Sequence, residues 1–239
     1  MGRRQFDVLC ASLGLLLAAP VLAIAAVGIV LSSPGPVIYK TRRVGARGRP
    51  FLMYKLRTMH VRSDGGSRIT GAGDPRIFPL GRLLRRTKID ELPQLVNVLK
   101  GEMSIVGPRP EDPGFVVRHY ALPHRETLAV RPGLAGPGSI YSTTHGERIL
   151  AGDDPEARYL EHLLPIKLAL DVVYVRHASL RYDLTLMVRT LRVVALSLTG
   201  RREFPEPPEM EEARRLLVPA RVGSIDEPSA PPLLARESA

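Results

Sequence analysis

The stretch VLCASLGLLLAAPVLAIAAVGIVL, Val8 to Leu31, decides how the chain folds, because it runs for 24 residues without a charged side chain. About 20 apolar residues suffice for a helix to cross a bilayer. Pro20 lies near its middle, where a proline removes a backbone hydrogen bond and clashes with the preceding turn. We therefore expect the helix to kink or break there, with two arms that enter the membrane and return. A single spanning helix and a cleaved signal peptide are the alternatives.

The charges that flank this segment favour the re-entrant hairpin. Arg3 and Arg4 precede it, and a basic cluster from Lys40 to Arg62 follows it, with no acid between Val8 and Ser63. Positive residues favour the cytoplasmic side of a membrane. A spanning helix would place one of the two clusters on the opposite side, whereas a hairpin keeps both on the same side.

The net charge is concentrated in the N-terminal part of the chain. The 239 residues carry 34 Lys and Arg against 24 Asp and Glu, for a formal charge of +10. Up to Lys88 there are 16 basic residues and three acids, so this part carries +13 and the remainder −3. Such an excess points to an anionic membrane, a phosphorylated substrate or nucleic acid. Only 5% of residues are aromatic and no nucleic-acid-binding motif is present, which argues against nucleic acid as a partner.

Composition divides the chain into three segments. Residues 1–36 form the predicted membrane hairpin, residues 37–200 a mixed, mostly helical α/β domain, and residues 201–239 a Pro-rich tail that we expect to be mostly disordered. Within the domain, the Gly-rich stretch Arg62 to Asp74 is predicted to be a mobile loop. Asp183 to Thr199 has the apolar spacing of an amphipathic helix, which could pack on the core or lie in the membrane interface. The single Cys excludes a disulfide framework and a thiolate zinc site.

The densest group of chemically capable residues lies between Gly81 and Pro110, in GRLLRRTKIDELPQLVNVLKGEMSIVGPRP. Its adjacent carboxylates, Asp90 and Glu91, follow several cations. Carboxylates near a phosphate suit a hard cation such as Mg²⁺, and an aspartate can also attack phosphorus to form an acyl phosphate. The simpler interpretation is that both acids serve a helix start, where Thr87 has the capping-box spacing to Asp90. If both are catalytic their roles should differ, because consecutive helical residues point about 100° apart.

Arg109 is a second candidate, because it lies between Pro108 and Pro110. The two prolines restrict the backbone on either side of it, which limits the entropy lost in presenting its guanidinium. A guanidinium held in this way suits bidentate binding of a phosphate. An ordinary surface turn is the alternative interpretation.

Three segments, in this order, resemble the bacterial sugar transferase family of monotopic phosphoglycosyl transferases. They are SSPGPVIYKTRRVGARGRPFLMYKLRTM from Ser32, DPRIFPLGRLLRRTKIDELPQLVNVLKGEMSIVGPRP from Asp74 and RPGLAG from Arg131. The resemblance covers roughly residues 4–200. It implies a compact, monotopic, membrane-associated catalytic domain with a re-entrant membrane helix and interfacial amphipathic helices. It also implies a location on the cytoplasmic face of the bacterial inner membrane.

The resemblance implies a reaction as well. The family transfers a sugar 1-phosphate from a nucleotide sugar, usually a UDP-sugar, to a polyprenol phosphate such as undecaprenyl phosphate, and releases the nucleoside monophosphate, here UMP. Its products initiate the assembly of exopolysaccharide, capsule, lipopolysaccharide O-antigen or glycoprotein glycans. The implied partners are therefore a nucleotide sugar donor, a polyprenol phosphate acceptor and membrane lipids.

The motifs assign roles by resemblance. Asp90 of DELPQ matches the nucleophile that forms a covalent phosphosugar intermediate, and Glu91 matches its partner in metal and acceptor handling. Both carboxylates are the implied ligands of Mg²⁺. Arg85, five residues before the nucleophile, and Arg109 of GPRP match phosphate-binding arginines. Cations and Mg²⁺ stabilise charge on phosphoryl oxygens, which is the main catalytic contribution a protein makes to phosphoryl transfer.

Three features depart from many relatives. Ala19 precedes Pro20 where many have Ser, so no hydroxyl is available there to bond the freed backbone. After RPG the chain reads LAGPGSIYSTTHGE where many read TGxxQV, and we expect this divergent stretch to shape nucleotide or sugar recognition. None of the six histidines has a metal-binding spacing. His145 is the histidine to test, because it lies in this divergent stretch. The chain lacks the additional N-terminal spans of larger members, so we expect a minimal catalytic unit.

Overall fold

The computed structural model of the protein describes residues 2–61, 69 and 74–217. Helices predominate over short strands among them, which confirms the predicted mixed, mostly helical class. Helices α1 to α10 are Arg3–Ser32, Pro79–Arg86, Gln94–Lys100, Pro113–His119, Leu122–Arg125, Pro137–Ile149, Pro155–Arg158, Leu164–His177, Leu180–Leu198 and Met210–Leu217. Strands β1 to β4 are Ile38–Val44, Pro50–Leu56, Ser104–Val106 and Gly133–Ala135. The predicted mobile loop Arg62–Asp74 lies largely outside the described residues.

The strands form two separate pairs. β1 and β2 make an antiparallel hairpin, with a short turn at Ala46–Gly48. β3 and β4 pair in parallel, and a Cβ added at Gly133 would lie 2.1 Å from the backbone nitrogen of Gly107. The absence of a side chain at Gly133 therefore lets the chain after β3 approach β4 closely. Residues 131–139 contain β4 and the start of α6 in spite of their high Gly and Pro content.

Helix α1 continues through Pro20, so the predicted break is not present and the two predicted arms belong to one helix, whereas a kink at Pro20 stays a prediction. A proline inside a helix removes one N–H donor, and the turns on either side can still form. Within the described residues, α1 is the one helix long and apolar enough to cross a membrane. A narrow stripe of it packs on the rest of the protein, whereas most of its large apolar side chains are exposed. The stripe consists of Asp7, Ala11, Ala18, Ala25 and Ile29.

Both ends of α1 are held by the α/β domain. At the start of α1, the guanidinium of Arg3 donates to the carboxylate of Asp183 at 2.7 Å. After the end of α1, Arg57 donates to the hydroxyl of Ser33 at 2.9 Å and also to its carbonyl oxygen. The two helix ends are therefore attached to one folded unit, although they are 30 residues apart.

The domain is built around α8, whose side chains are buried along most of its length. α9 differs, because only Asp183 and Leu186 on it are fully buried. Its sequence predicted either core packing or an interfacial position. The structure shows one packed edge and an exposed apolar surface formed by Leu184, Val188, Leu191 and Leu198.

The predicted disordered tail is ordered over its first part. α10 packs against α8, with Met210 and Ala213 buried in the contact. Glu209, just before α10, accepts hydrogen bonds from Tyr182 at 2.6 Å and from Arg189 at 2.5 Å. The apolar spacing of Met210 and Ala213 on one helical face therefore outweighs the surrounding Pro and Glu content. Residues 218–239 lie outside the described residues.

Candidate active site

Asp90 and Glu91 lie in a tight turn between α2 and α3. The turn is one 3-10 segment, Ile89–Glu91, and it follows Lys88, whose backbone has a φ of 59°. The predicted capping box is wrong, because the hydroxyl of Thr87 donates back to the Leu83 carbonyl at 2.8 Å. Thr87 thus ends α2, and no helix begins at Asp90 because α3 starts only after Pro93.

The carboxylate of Asp90 is buried and incompletely bonded. Asp90 is 6% exposed, and its Oδ1 has no hydrogen-bond partner among the described residues. Burial, with the nearby charge of Glu91, raises its pKa to about 6, although Lys55, Lys88 and Arg85 act in the opposite direction. A buried carboxylate oxygen without a partner, close to several cations, can accept a metal ion or attack an electrophile.

Glu91 is held in a different way from its neighbour. Arg109 donates to both of its oxygens, at 2.6 Å to Oε1 and 3.1 Å to Oε2, and Lys55 donates to Oε1 at 3.3 Å. Burial alone would raise the pKa of Glu91, but Arg109 and Lys55 hold it well below the usual range. The two adjacent acids therefore have distinct environments, as their separation around a turn predicted.

Arg85 lies on the last turn of α2 and faces the same region. Its Nε donates to the hydroxyl of Thr58 at 2.8 Å, and burial lowers its pKa. A Cβ on Gly81 would lie 2.2 Å from the Thr58 carbonyl oxygen, so α2 lies directly on this segment. The contact with Thr58 fixes one edge of the Arg85 guanidinium. The structure therefore brings Arg85, Arg109, Asp90 and Glu91 into one region.

Lys55 is the site residue that our sequence reasoning missed. It lies on β2 two residues after the buried Met53, so both side chains point to the same face of the strand. The two-residue period of β2 was the signal that could have found it. Burial lowers the pKa of Lys55 to about 8, against the opposing effect of Glu91.

These pKa values predict a bell-shaped pH profile for any activity of this site that needs Asp90 ionised and Lys55 charged. Activity should fall below about pH 6 as Asp90 becomes protonated, and above about pH 8 as Lys55 loses its charge. In Lys55→Arg the charge persists at high pH. We therefore expect its alkaline limb to move upward by about one unit or more while its acid limb stays. An unchanged alkaline limb in this variant would contradict the role of Lys55.

A cavity of about 470 Å³ opens beside this region. Glu91, Arg109 and Lys88 contribute charged groups to its lining, and apolar side chains of α9 form much of the remaining wall. The divergent stretch contributes Ser139, Ile140, Ser142 and Thr143. His145 does not line the cavity, since it stacks on Tyr141 with ring centroids 4.4 Å apart. The divergent stretch thus reaches the candidate site through both apolar and hydroxyl residues and not through its histidine.

The site offers two carboxylates for a metal ion. In the part of the chain that the structure describes, no group of three or more His, Cys, Asp or Glu side chains is arranged to hold one. The free Oδ1 of Asp90 fits a cation, whereas both oxygens of Glu91 already accept hydrogen bonds. Mg²⁺ commonly takes only one or two protein carboxylates and completes its shell with water and substrate phosphates. The donor set is therefore compatible with Mg²⁺.

The chain is similar to two proteins named for sugar-phosphate transfer to undecaprenyl phosphate and to one named for exopolysaccharide production. The UDP-glucose:undecaprenyl-phosphate glucose-1-phosphate transferase of Caulobacter vibrioides is 39% identical over 196 residues, which are 79% of this chain and 68% of that protein. The UDP-N-acetylgalactosamine-undecaprenyl-phosphate N-acetylgalactosaminephosphotransferase of Aeromonas hydrophila is 37% identical over 205 residues, 83% of this chain but 44% of that protein. The exopolysaccharide production protein PSS of Rhizobium leguminosarum bv. phaseoli is 35% identical over 198 residues, 79% and 92% of the two chains.

The family comparison covers most of the chain. Residues 1–197 match the bacterial sugar transferase family, which includes α1, both strand pairs, the Asp90 turn and nearly all of α9. The matched range ends before α10. The predicted resemblance is confirmed, and the chain belongs to the bacterial sugar transferase family.

Proposed function

We propose that this protein transfers a sugar 1-phosphate from a UDP-sugar to undecaprenyl phosphate and releases UMP. The names of two relatives, which specify a UDP-sugar and undecaprenyl phosphate, support this donor and acceptor. The observation that carries the proposal is the buried Asp90 carboxylate, which has a free oxygen beside a glutamate fixed by Arg109 and Lys55. The relatives named above differ in the sugar they transfer, so the sugar is left open.

The reaction proceeds in two displacements at one phosphorus atom. The Asp90 carboxylate attacks the phosphorus that bears the sugar, and the bond from that phosphorus to the bridging oxygen of the diphosphate breaks. UMP leaves with the electron pair of that bond, and the sugar phosphate remains on Asp90. A phosphate oxygen of undecaprenyl phosphate then attacks the same phosphorus, which breaks the bond to Asp90 and restores the carboxylate.

The surrounding cations suit this chemistry. Charge develops on phosphoryl oxygens during each displacement, and preorganised cations stabilise it without reorganisation. Arg85 and Lys88 both act electrostatically on Asp90, and Arg109 is oriented by Glu91. Asp90 would hold Mg²⁺ through its free Oδ1, and the ion would supply further neutralisation of the diphosphate when it is bound.

The 470 Å³ cavity suits the acceptor. Its charged residues, Glu91, Arg109 and Lys88, adjoin the Asp90 turn, whereas Met187, Leu191 and Val194 give it an apolar wall. A polyprenol phosphate has the same division, with an anionic head and an apolar chain. We assign the phosphate to the Arg109 end and the first isoprene units to the wall formed by α9.

The exposed apolar surfaces of α1 and α9 indicate how the protein lies on a membrane. The exposed apolar residues of α1 would contact lipid, and both ends of α1 are attached to the α/β domain. We infer that both ends lie on the cytoplasmic face of the inner membrane, as in a re-entrant segment, with the exposed apolar surface of α9 at the interface.

Cysteine labelling tests this topology. Cys10 is the only cysteine, so Cys10→Ser gives a background into which Gly2→Cys and Lys40→Cys can be introduced singly. Both positions are exposed. In intact cells an impermeant maleimide should label neither cysteine, and in inverted membrane vesicles it should label both. Labelling of either position in intact cells would contradict the re-entrant arrangement.

The reaction is tested by release of UMP. Membranes containing the full chain should release UMP from at least one member of a panel of UDP-sugars. Continued release of UMP should require both undecaprenyl phosphate and Mg²⁺. Binding of UDP-sugars without turnover across a broad panel would instead favour a non-catalytic, membrane-anchored binder. The test uses multiple turnovers, since a single covalent event would release at most one UMP per chain.

A further inference from the structure

A second cavity, of about 680 Å³, lies on another part of the protein. It shares no lining residue with the cavity beside Glu91. It is bordered by the turn between β1 and β2, by the start of α1 and by the segment before β4. We call it the basic cavity, because its lining includes Arg3, Arg47, Arg49, Lys100 and Arg131, against the two acids Asp7 and Glu102.

The acids of the basic cavity are already engaged. Asp7 accepts hydrogen bonds from the backbone nitrogen of Ile105 and the hydroxyl of Ser104, both at 2.9 Å. Glu102 accepts one from the side-chain amide of Asn97 at 2.6 Å. These bonds fix the two carboxylates, and among the described residues neither forms an ion pair with an arginine of the basic cavity.

Three arginines of the basic cavity are uncompensated. Arg47, Arg49 and Arg131 are exposed, and none of them has a side-chain hydrogen bond or ion pair with another described residue. Arg47 also has a φ of 57°, a conformation that glycine adopts without strain and arginine does not. Backbone geometry therefore does not explain an arginine at this position. Three like charges around one concave surface attract an anion.

The position of the basic cavity indicates which anion. Arg3 and Tyr174 line it, and both bind the carboxylate of Asp183 at 2.7 Å, which joins the start of α1 to the start of α9. Exposed apolar side chains begin immediately beyond this junction, with Val8 on α1 and Leu184 on α9. The basic cavity therefore lies where the polar surface meets the two helices that we place in lipid. In a membrane this is the level of the headgroups.

We propose that the basic cavity binds the headgroup phosphate of an anionic phospholipid, separately from catalysis. The proposal rests on the membrane position of α1 proposed above, and not on the assignment of the reaction. Guanidinium groups bind phosphate oxygens in a bidentate manner, and clustered arginines beside a membrane helix favour anionic over zwitterionic lipid. A free phosphate ion offers similar oxygens without the acyl chains that would lie along α1 and α9.

Native mass spectrometry of the full chain in detergent measures this binding without turnover. Phosphatidylglycerol, phosphatidylcholine or inorganic phosphate is added to the wild type and to a triple variant, Arg47→Gln/Arg49→Gln/Arg131→Gln. The matched control is Arg42→Gln/Arg118→Gln/Arg192→Gln, which removes three exposed arginines that line neither cavity. All three proteins should unfold at similar temperatures, because the substituted side chains are exposed.

We expect saturable binding of phosphatidylglycerol to the wild type and the control, weakened about 100-fold in the cavity variant. Phosphatidylcholine should show no saturable binding. The UDP-sugar KM of the cavity variant in detergent should equal that of the wild type. Equal binding of phosphatidylglycerol to both triple variants would overturn the proposal, and so would displacement of the lipid by equimolar inorganic phosphate. A raised UDP-sugar KM would assign the cavity to the donor instead and would also overturn it.

Discussion

Asp90→Asn should reduce UMP release by at least about 1,000-fold, because it removes the attacking carboxylate. The variant should nevertheless be folded. The pKa of Asp90 is raised by burial, so its charged form destabilises the native state at neutral pH, and a neutral asparagine removes that cost. We therefore expect a melting temperature equal to or above that of the wild type together with the loss of turnover.

The control for this variant is Glu147→Gln, which removes an exposed carboxylate on α6. It should keep full activity. Substantial UMP release by Asp90→Asn would show that Asp90 is not the nucleophile. Loss of folding would contradict the stability argument. A folded Asp90→Asn protein that binds UDP-sugar without turnover supports the assignment of the nucleophile.

Arg109→Ala should cause the second large loss. It removes two hydrogen bonds from Glu91 and leaves that largely buried carboxylate with Lys55 as its remaining ion-pair partner. We expect kcat/KM to fall about 1,000-fold and the free energy of unfolding to fall by about 2 kcal/mol. UMP release and thermal unfolding measure the two effects separately.

The double variant Glu91→Gln/Arg109→Ala distinguishes a phosphate-binding role from a structural one. Neutralising Glu91 removes the buried charge that has lost its main partner, so the double variant should recover part of the lost stability. It should not recover activity, because no guanidinium remains for the substrate phosphate. Recovery of activity along with stability would mean that Arg109 acts only by compensating Glu91.

The sequence predicted the elements that have strong local signals. The apolar run predicted α1, and the spacing of apolar residues predicted α9, whose observed bounds are Leu180–Leu198. Helix α10 was not predicted because Met210 and Ala213 are too few to stand out from the surrounding prolines, although α8 provides a surface for them. A break at Pro20 was predicted from local chemistry alone, whereas the contacts of α1 along its whole length favour a continuous helix.

The sequence motifs identified most of the site residues but not the contacts between their side chains. DELPQ and GPRP identified Asp90, Glu91 and Arg109, yet nothing local indicates that Arg109 binds Glu91, 18 positions earlier. That contact depends on the pairing of β3 with β4, which positions the segment after β3. Lys55 was missed for the same reason, since it reaches Glu91 through the packing of β2 on the Asp90 turn.

The covalent intermediate is tested most directly by the mass of the intact protein. The wild type, mixed with a UDP-sugar that it uses and Mg²⁺ but no acceptor, should gain the mass of one sugar phosphate. Peptide mapping should place that mass on Asp90, and undecaprenyl phosphate should remove it. Asp90→Asn should gain no mass under the same conditions. An unmodified wild type whose UMP release requires both substrates together, or an adduct that persists in Asp90→Asn, would contradict a phosphosugar intermediate on this residue.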